Sequence, residues 1–175
     1  MAKITPEQRR VVRLEMKFKQ RVEDAVKIFN EAMSELSLPQ IQFKCYLTNK
    51  INERKYWGTM KFYCEQAKVT YPHPGFSVIF PKLSLDEIIR DILYFYLPDV
   101  LSLPCKYYSK ILYADFGDHK PCVEIFFGDT IIMISILSET KEGYKSIFKE
   151  WTRDLKYAIK LFIVLAQMVK EACMR

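Results

Sequence analysis

The sequence predicts a single α+β domain spanning residues 1–175, with helices at both ends of a central antiparallel sheet. Three observations carry that expectation. An apolar stripe at helical spacing runs through the first 35 residues, β-patterned runs separated by Gly-Asp turns fill the centre, and a second long apolar stripe closes the chain. At 175 residues the chain has the size of one domain, and with half its residues apolar and 14% aromatic it can bury a sizeable core.

The elements follow in order. Thr5-Pro6-Glu7-Gln8 reads as a helix start, with Thr5 as N-cap, Pro6 at the first helical position and Gln8 closing a capping box. Val11, Leu14, Phe18, Val22, Ala25, Phe29 and Met33 then make one stripe, which should end before Pro39. From Ile41 to Phe80 the pattern becomes β, with a turn from Tyr71 to Gly75 and a short strand, Phe76 to Phe80, closed by Pro81. Ser84-Leu85-Asp86-Glu87 is a second capping box, opening a helix over 85–97 that ends near Pro98.

After a Pro-punctuated link, Lys110–Phe116, Pro121–Phe127 and Thr130–Leu137 read as a three-stranded meander hinged at Gly117-Asp118 and Gly128-Asp129. A last helix from about Tyr144 to Cys173 places Phe148, Trp151, Leu155, Ile159, Phe162, Ala166 and Val169 on one face, packed on the sheet.

Composition narrows the chemistry. The first residues hold no apolar signal core, and the longest apolar run, Leu161 to Ala166, is far below the ~20 residues that span a bilayer, so a cytoplasmic chain without a membrane role is expected. Five cysteines (Cys45, Cys64, Cys105, Cys122, Cys173) lack any CxxC pair, which points to buried thiols. The richness in Ile, Tyr, Lys and Glu with few Gly suits a hyperthermophile or one of its viruses, where intracellular disulfides do occur. The two histidines, His73 and His119, have no ligand partner three or four residues away on a helix, so the sequence predicts no metal, no cofactor and no catalytic residue.

Between Val22 and Leu101 the chain resembles the small zinc metallopeptidase-like fold of the SprT and minigluzincin group. Val22–Leu36 matches that family's first helix, Pro39–Phe43 its strand, Trp57-Gly58-Thr59 its Trp-Gly element, Phe76–Phe80 its edge strand and Ile88–Leu101 its active helix. Where the family carries HExxH, this helix reads Ile92-Leu93-Tyr94-Phe95-Tyr96-Leu97-Pro98-Asp99. A zinc protease needs two imidazoles one turn apart and a carboxylate to activate water, so neither metal nor peptidase activity carries over. The resemblance implies a degenerate member kept for binding.

Charge placement is the most functional-looking signal. Residues 9–68 hold 13 Lys/Arg against 7 Asp/Glu, which equals the net +6 of the whole chain. Arg10, Arg13, Lys17 and Arg21 form a stripe on the first helix, and Lys145, Lys149, Arg153, Lys156 and Lys160 are expected to repeat it on the last. Lys50, Arg54 and Lys55 stand among Tyr46, Tyr56, Trp57, Phe62, Tyr63 and Tyr71, a composition that suits base stacking. The expected function is therefore a non-enzymatic binding protein that docks on a polyanion, such as nucleic acid without sequence preference, or on a macromolecular partner. The opposing reading is that these stripes are ordinary solvated helix faces, diluted by Glu15, Asp24, Glu150 and Asp154.

Two alternatives remain open. Leu161–Ala166 is apolar on every side, so a protein-assembly role through a homodimer with Phe162 and Ile163 as contacts is one. A metal-dependent nuclease using Asp115, Asp118, Glu124 and Asp129, with Lys120 and His119 nearby, is the other. Tyr94, Phe95 and Tyr96 would line a groove only if they were not core.

Overall fold

A computed structural model gives the fold. It describes the backbone of residue 3 and of residues 5–52, 55–64, 69–72, 76–78 and 84–174, and the side chains among these other than 44–83 and positions 7, 8, 11, 14, 15 and 18. Helix α1 runs Pro6–Glu35, and the Arg9 amide bonds the Thr5 carbonyl as the start signal requires. Two sheets and two further helices follow: β1 (Gln42–Asn52), β2 (Lys55–Cys64), β3 (Val69–Pro72), β4 (Phe76–Val78), α2 (Leu85–Val100), β5 (Cys105–Tyr108), β6 (Ile111–Asp115), β7 (Cys122–Phe127), β8 (Ile132–Thr140), β9 (Gly143–Thr152) and α3 (Leu155–Cys173). The architecture is α+β, as expected.

In the first sheet β2 pairs antiparallel with β1 along one edge, while β3 and β4 share its other edge end to end. The Tyr71–Gly75 turn with His73, and the closure at Pro81, fall in part or whole outside the described residues. The second sheet is a five-stranded antiparallel meander, β5-β6-β7-β8-β9. Its inner face carries Leu112, Ala114, Val123, Ile125, Phe127, Ile132 and Ile134, all buried against the helices.

The meander has five strands rather than three, because both of its flanks differ from the sequence reading. The link before it folds into β5, which pairs Cys105 with Ala114 and Tyr108 with Ile111. The expected long last helix is split. Residues 143–152 form β9, joined to β8 by a turn at Thr140–Gly143 in which Gly143 takes a φ of 109°. Asp154 then caps α3, its carboxylate accepting the Tyr157 amide at 3.1 Å. Phe148 and Trp151 stand three apart and so mimic a helical stripe, but Gly143, able to turn the chain, and the strong N-cap Asp154 favour strand, stop and helix.

Helix α2 also extends past its expected end, through Pro98 to Val100. Proline has no amide hydrogen to give the carbonyl four residues back, which is that of Tyr94. The Cys105 thiol takes its place, donating to the Tyr94 carbonyl at 3.7 Å. A residue beyond the helix thus satisfies the group that the proline orphans.

Helix α3 lies between β7–β8 on one side and α1 on the other, with α2 against α1 and β5. Being enclosed from two directions explains why it is apolar nearly all round. Phe162 and Ile163 are fully buried in this single chain, so they cannot be dimer contacts; the exposed apolar side chains of the helix are Val164, Met168 and, at its start, Tyr157. Phe95 and Tyr96 are buried as well, and the Tyr96 ring stands edge-on to Phe29 with centroids 4.9 Å apart. Only Tyr94 of that trio is exposed, so no aromatic groove forms there.

Two polar clasps hold the link between α1 and β1, one from α1 and one from α2. Asn30 donates to the Ile41 carbonyl at 2.8 Å and accepts the Ile41 amide at 2.9 Å, a side-chain imitation of strand pairing. Tyr96 donates to the Pro39 carbonyl at 2.7 Å. Asn30→Ala leaves both Ile41 groups without partners in a half-buried setting and should cost about 1–3 kcal/mol. Urea unfolding measures this; a loss under about 0.5 kcal/mol would mean that water replaces the clasp without penalty.

Candidate polyanion interface

Helix α1 is about 45 Å long at 1.5 Å per residue and changes character at its middle. Val22, Ala25, Val26, Phe29, Ala32 and Met33 are buried, whereas every described side chain from Pro6 to Gln20 is exposed. The exposed half is basic. The first 21 residues hold seven cations and two carboxylates, a net +5 of the chain's +6. Arg10, Arg13 and Lys17 are exposed and Arg21 half-buried. At 100° per residue the four fall within about 80° of arc and extend about 16 Å along the axis. Arg9 adds an exposed cation to one flank and Lys19 one on the far side of the helix, which a strict stripe criterion overlooks although the local density of cations shows them.

The charge then reverses. Residues 22–35 hold Glu23, Asp24, Glu31 and Glu35 against Lys27. Glu35 receives Lys156 at 2.9 Å and Lys160 at 2.7 Å from α3, and these two ammonium groups hold its carboxyl below the usual range. The acidic half is thus the half that docks on the rest of the domain. The basic half also ends at the helix N-terminus, where the backbone dipole adds to the positive potential.

The second expected stripe does not exist as a stripe. Lys145 and Lys149 lie on β9, opposite Ser138 and Ser135, and an irregularity between them puts their side chains on opposite faces of the sheet. Arg153 sits in the link before α3, and Lys156 and Lys160 are engaged with Glu35. The side chains of Lys50 and Lys55, with the aromatic residues around them, and the whole of Arg54 lie outside the described residues, as do the side chains of Trp57-Gly58-Thr59.

The carboxylates of the nuclease alternative are dispersed. Asp115 pairs with Lys106 at 2.9 Å and accepts the Gly117 amide at 3.0 Å, which together lower its pKa. Asp118 is exposed in the β6–β7 turn, where His119 meets Glu139 at 2.6 Å. Asp129 pairs with Lys110 at 3.2 Å in the β7–β8 turn, at the other end of β7. Gly128 in that turn has no room for a side chain, because a Cβ would stand 2.7 Å from the Ile131 carbonyl oxygen. Glu124 is mid-strand and 8% exposed, its pKa raised by burial and partly offset by the Ser135 hydroxyl and Lys149. Ser135 lies opposite it across β7–β8, fully buried, in a rotamer that makes no hydrogen bond of good geometry. Among the described residues no three His, Cys, Asp or Glu side chains gather as a metal site.

A shallow cleft of about 280 Å³ opens at the start of α2, lined by Ser84, Asp86, Glu87, Arg90, Lys110 and Asp129 among others. Three carboxylates against two cations make it a poor anion site. Arg90 is occupied structurally: it donates to the Ser109 carbonyl at 3.3 Å and lies 5.1 Å from the Tyr107 ring centroid, tying α2 to the β5–β6 hairpin.

The described cysteines, Cys105, Cys122 and Cys173, are free and half-buried. Burial, aided by Asp99, pushes the Cys105 thiol up to about 11. Burial, aided by Glu124 and Asp115, does the same for Cys122, also to about 11. At pH 8 about one in a thousand of either thiol is ionised, so native labelling with iodoacetamide should be at least about tenfold slower at both than in the urea-unfolded chain. Peptide mass spectrometry reads the rates, and equal rates would overturn this assignment. Because unfolding lowers both values toward 9, the unfolded state releases protons first, and stability should fall as pH rises from 9 toward 11.

Comparison of the chain with models of known families, with curated proteins and with solved structures finds no match. Among the described residues no helix is long and apolar enough to cross a membrane.

Proposed function

We propose that the protein is a non-enzymatic polyanion-binding protein that docks on nucleic acid through the exposed basic half of α1. The observation that carries this reading is the division of α1: its acidic half engages the domain, while its basic half is exposed and carries a net +4 of the chain's +6. Arg10, Arg13, Lys17 and Arg21 would contact phosphates, with Arg9 at one side. Recognition would be electrostatic and indifferent to sequence, since phosphate contacts position a protein without reading bases.

The metallopeptidase-like resemblance fits a binding role. The helix that would carry HExxH instead buries Ile92, Leu93, Phe95, Tyr96 and Leu97, which offer no metal ligand and no general base apart from a phenol committed to Pro39. The test is gel-shift binding to duplex DNA, single-stranded DNA and RNA at 50 and 200 mM salt, with and without Mg²⁺. Four phosphate contacts correspond to a log–log salt slope of about −3.6, hence roughly a hundredfold weaker binding at the higher salt. A salt-insensitive shift, or none at 50 mM, overturns the proposal; shortened nucleic acid in Mg²⁺ would return attention to the carboxylates of the meander.

A further inference from the structure

Strand β9 ends the five-stranded sheet, and among the described residues its outer edge pairs with nothing. It is ten residues long, has no proline, and exposes Tyr144, Ile147, Phe148 and Trp151. A long edge of this kind is a template for another strand. The pattern of side chains along it selects which strand fits.

The ladder between β8 and β9 shifts register between Ile136 and Leu137, leaving Ile147 as an extra residue on β9. Tyr144 and Ser146, opposite Glu139 and Leu137, therefore share the outer face with Lys149 and Trp151, opposite Ser135 and Met133. Lys145 shares the helix-covered face with Phe148 and Glu150, opposite Ser138, Ile136 and Ile134. We infer that β9 pairs antiparallel with β9 of a second copy of this chain, about a twofold axis between Ile147 and Phe148.

That axis sets Tyr144 against Trp151 of the second copy, Ser146 against Lys149 and Lys145 against Glu150. Directly opposed residues of an antiparallel pair must share a face, and in all three pairs they do, because each pair spans the bulge. The symmetry doubles every contact, giving two Lys–Glu pairs and two Tyr–Trp pairs. Moving the axis onto Ile147 would set Lys145 against Lys149, two cations on different faces. The lysines and the bulge thus protect the edge from indiscriminate pairing while admitting one register. Tyr157 donates to one oxygen of Glu150 at 2.8 Å and leaves the other for Lys145, which in the single chain meets the exposed Glu142 at 2.8 Å and would exchange that partner for Glu150 on pairing.

The test is sedimentation velocity of the full chain from 1 to 100 µM. The wild type should dimerise. Glu150→Lys, which opposes two pairs of cations, should weaken the dimer by about tenfold or more. Lys145→Glu combined with Glu150→Lys restores opposite charges in the same register and should recover the dimer to within about threefold. Circular dichroism would show that each variant is folded. A monomer at 100 µM, or a dimer that withstands the single reversal, overturns the inference; so does a swap that fails to recover association while remaining folded.

Discussion

Replacing Phe162 by alanine should destabilise the fold by about 3–5 kcal/mol, which for a domain of this size lowers Tm by about 10 °C. The side chain is fully buried where α3 is held between the inner face of the meander and α1. Its neighbours one turn away, Ala158, Ile159 and Ala166, are buried too, so no flexible surface group is at hand to fill the cavity. Val164→Ala on the same helix removes a side chain that is 37% exposed and should cost well under about 1 kcal/mol. Chemical denaturation of both variants checks the contrast. If Phe162→Ala left stability unchanged and weakened self-association instead, Phe162 would be an interface residue after all.

Reversing Arg10, Arg13 and Lys17 together to glutamate should lower affinity for duplex DNA at 50 mM salt by about two to three orders of magnitude. Three phosphate contacts are lost and three repulsions are added. Changing the same residues to alanine should reduce the salt slope by about 2.7, from about −3.6 to about −1. Sequence should make no difference, so mixed, AT-rich and GC-rich duplexes should weaken alike. Stability should hardly change, because the three side chains are exposed and none belongs to the buried face that begins at Val22. Fluorescence anisotropy titrations at several salt concentrations measure both quantities. Unchanged affinity in the reversed variant would reduce the stripe to a solvated helix face. The Lys145, Lys149 and Arg153 cations then offer an internal comparison, since they no longer form a stripe.

What the residues disclosed and what they hid differ by the range of the interactions involved. The start of α1, the Ser84 cap of α2 and the turns at Gly117 and Gly128 are local events, set by side chains within three or four positions of one another, and they were legible. The carboxylates at 115, 118, 124 and 129 were close in sequence yet lie along the whole length of β7 and its turns, because a hairpin separates residues by 3.3 Å for each position.

The fold class, the amphipathic first helix, the helix after Ser84 and the basic excess at the start of the chain are readable from the residues alone. These follow from periodicity, capping and composition, which need no partner. That 143–152 is a strand depends on its pairing with β8. Its alternate faces are fixed by β8, which puts Phe148 and Trp151, three apart, on opposite faces rather than on one helical stripe. Tertiary contact likewise decided that Phe162 and Ile163 are core, that Lys156 and Lys160 serve Glu35, and that Cys105 completes the turn opened by Pro98. Each of these pairings joins residues brought together by packing, and packing energy is a property of the assembled layers that no single segment carries.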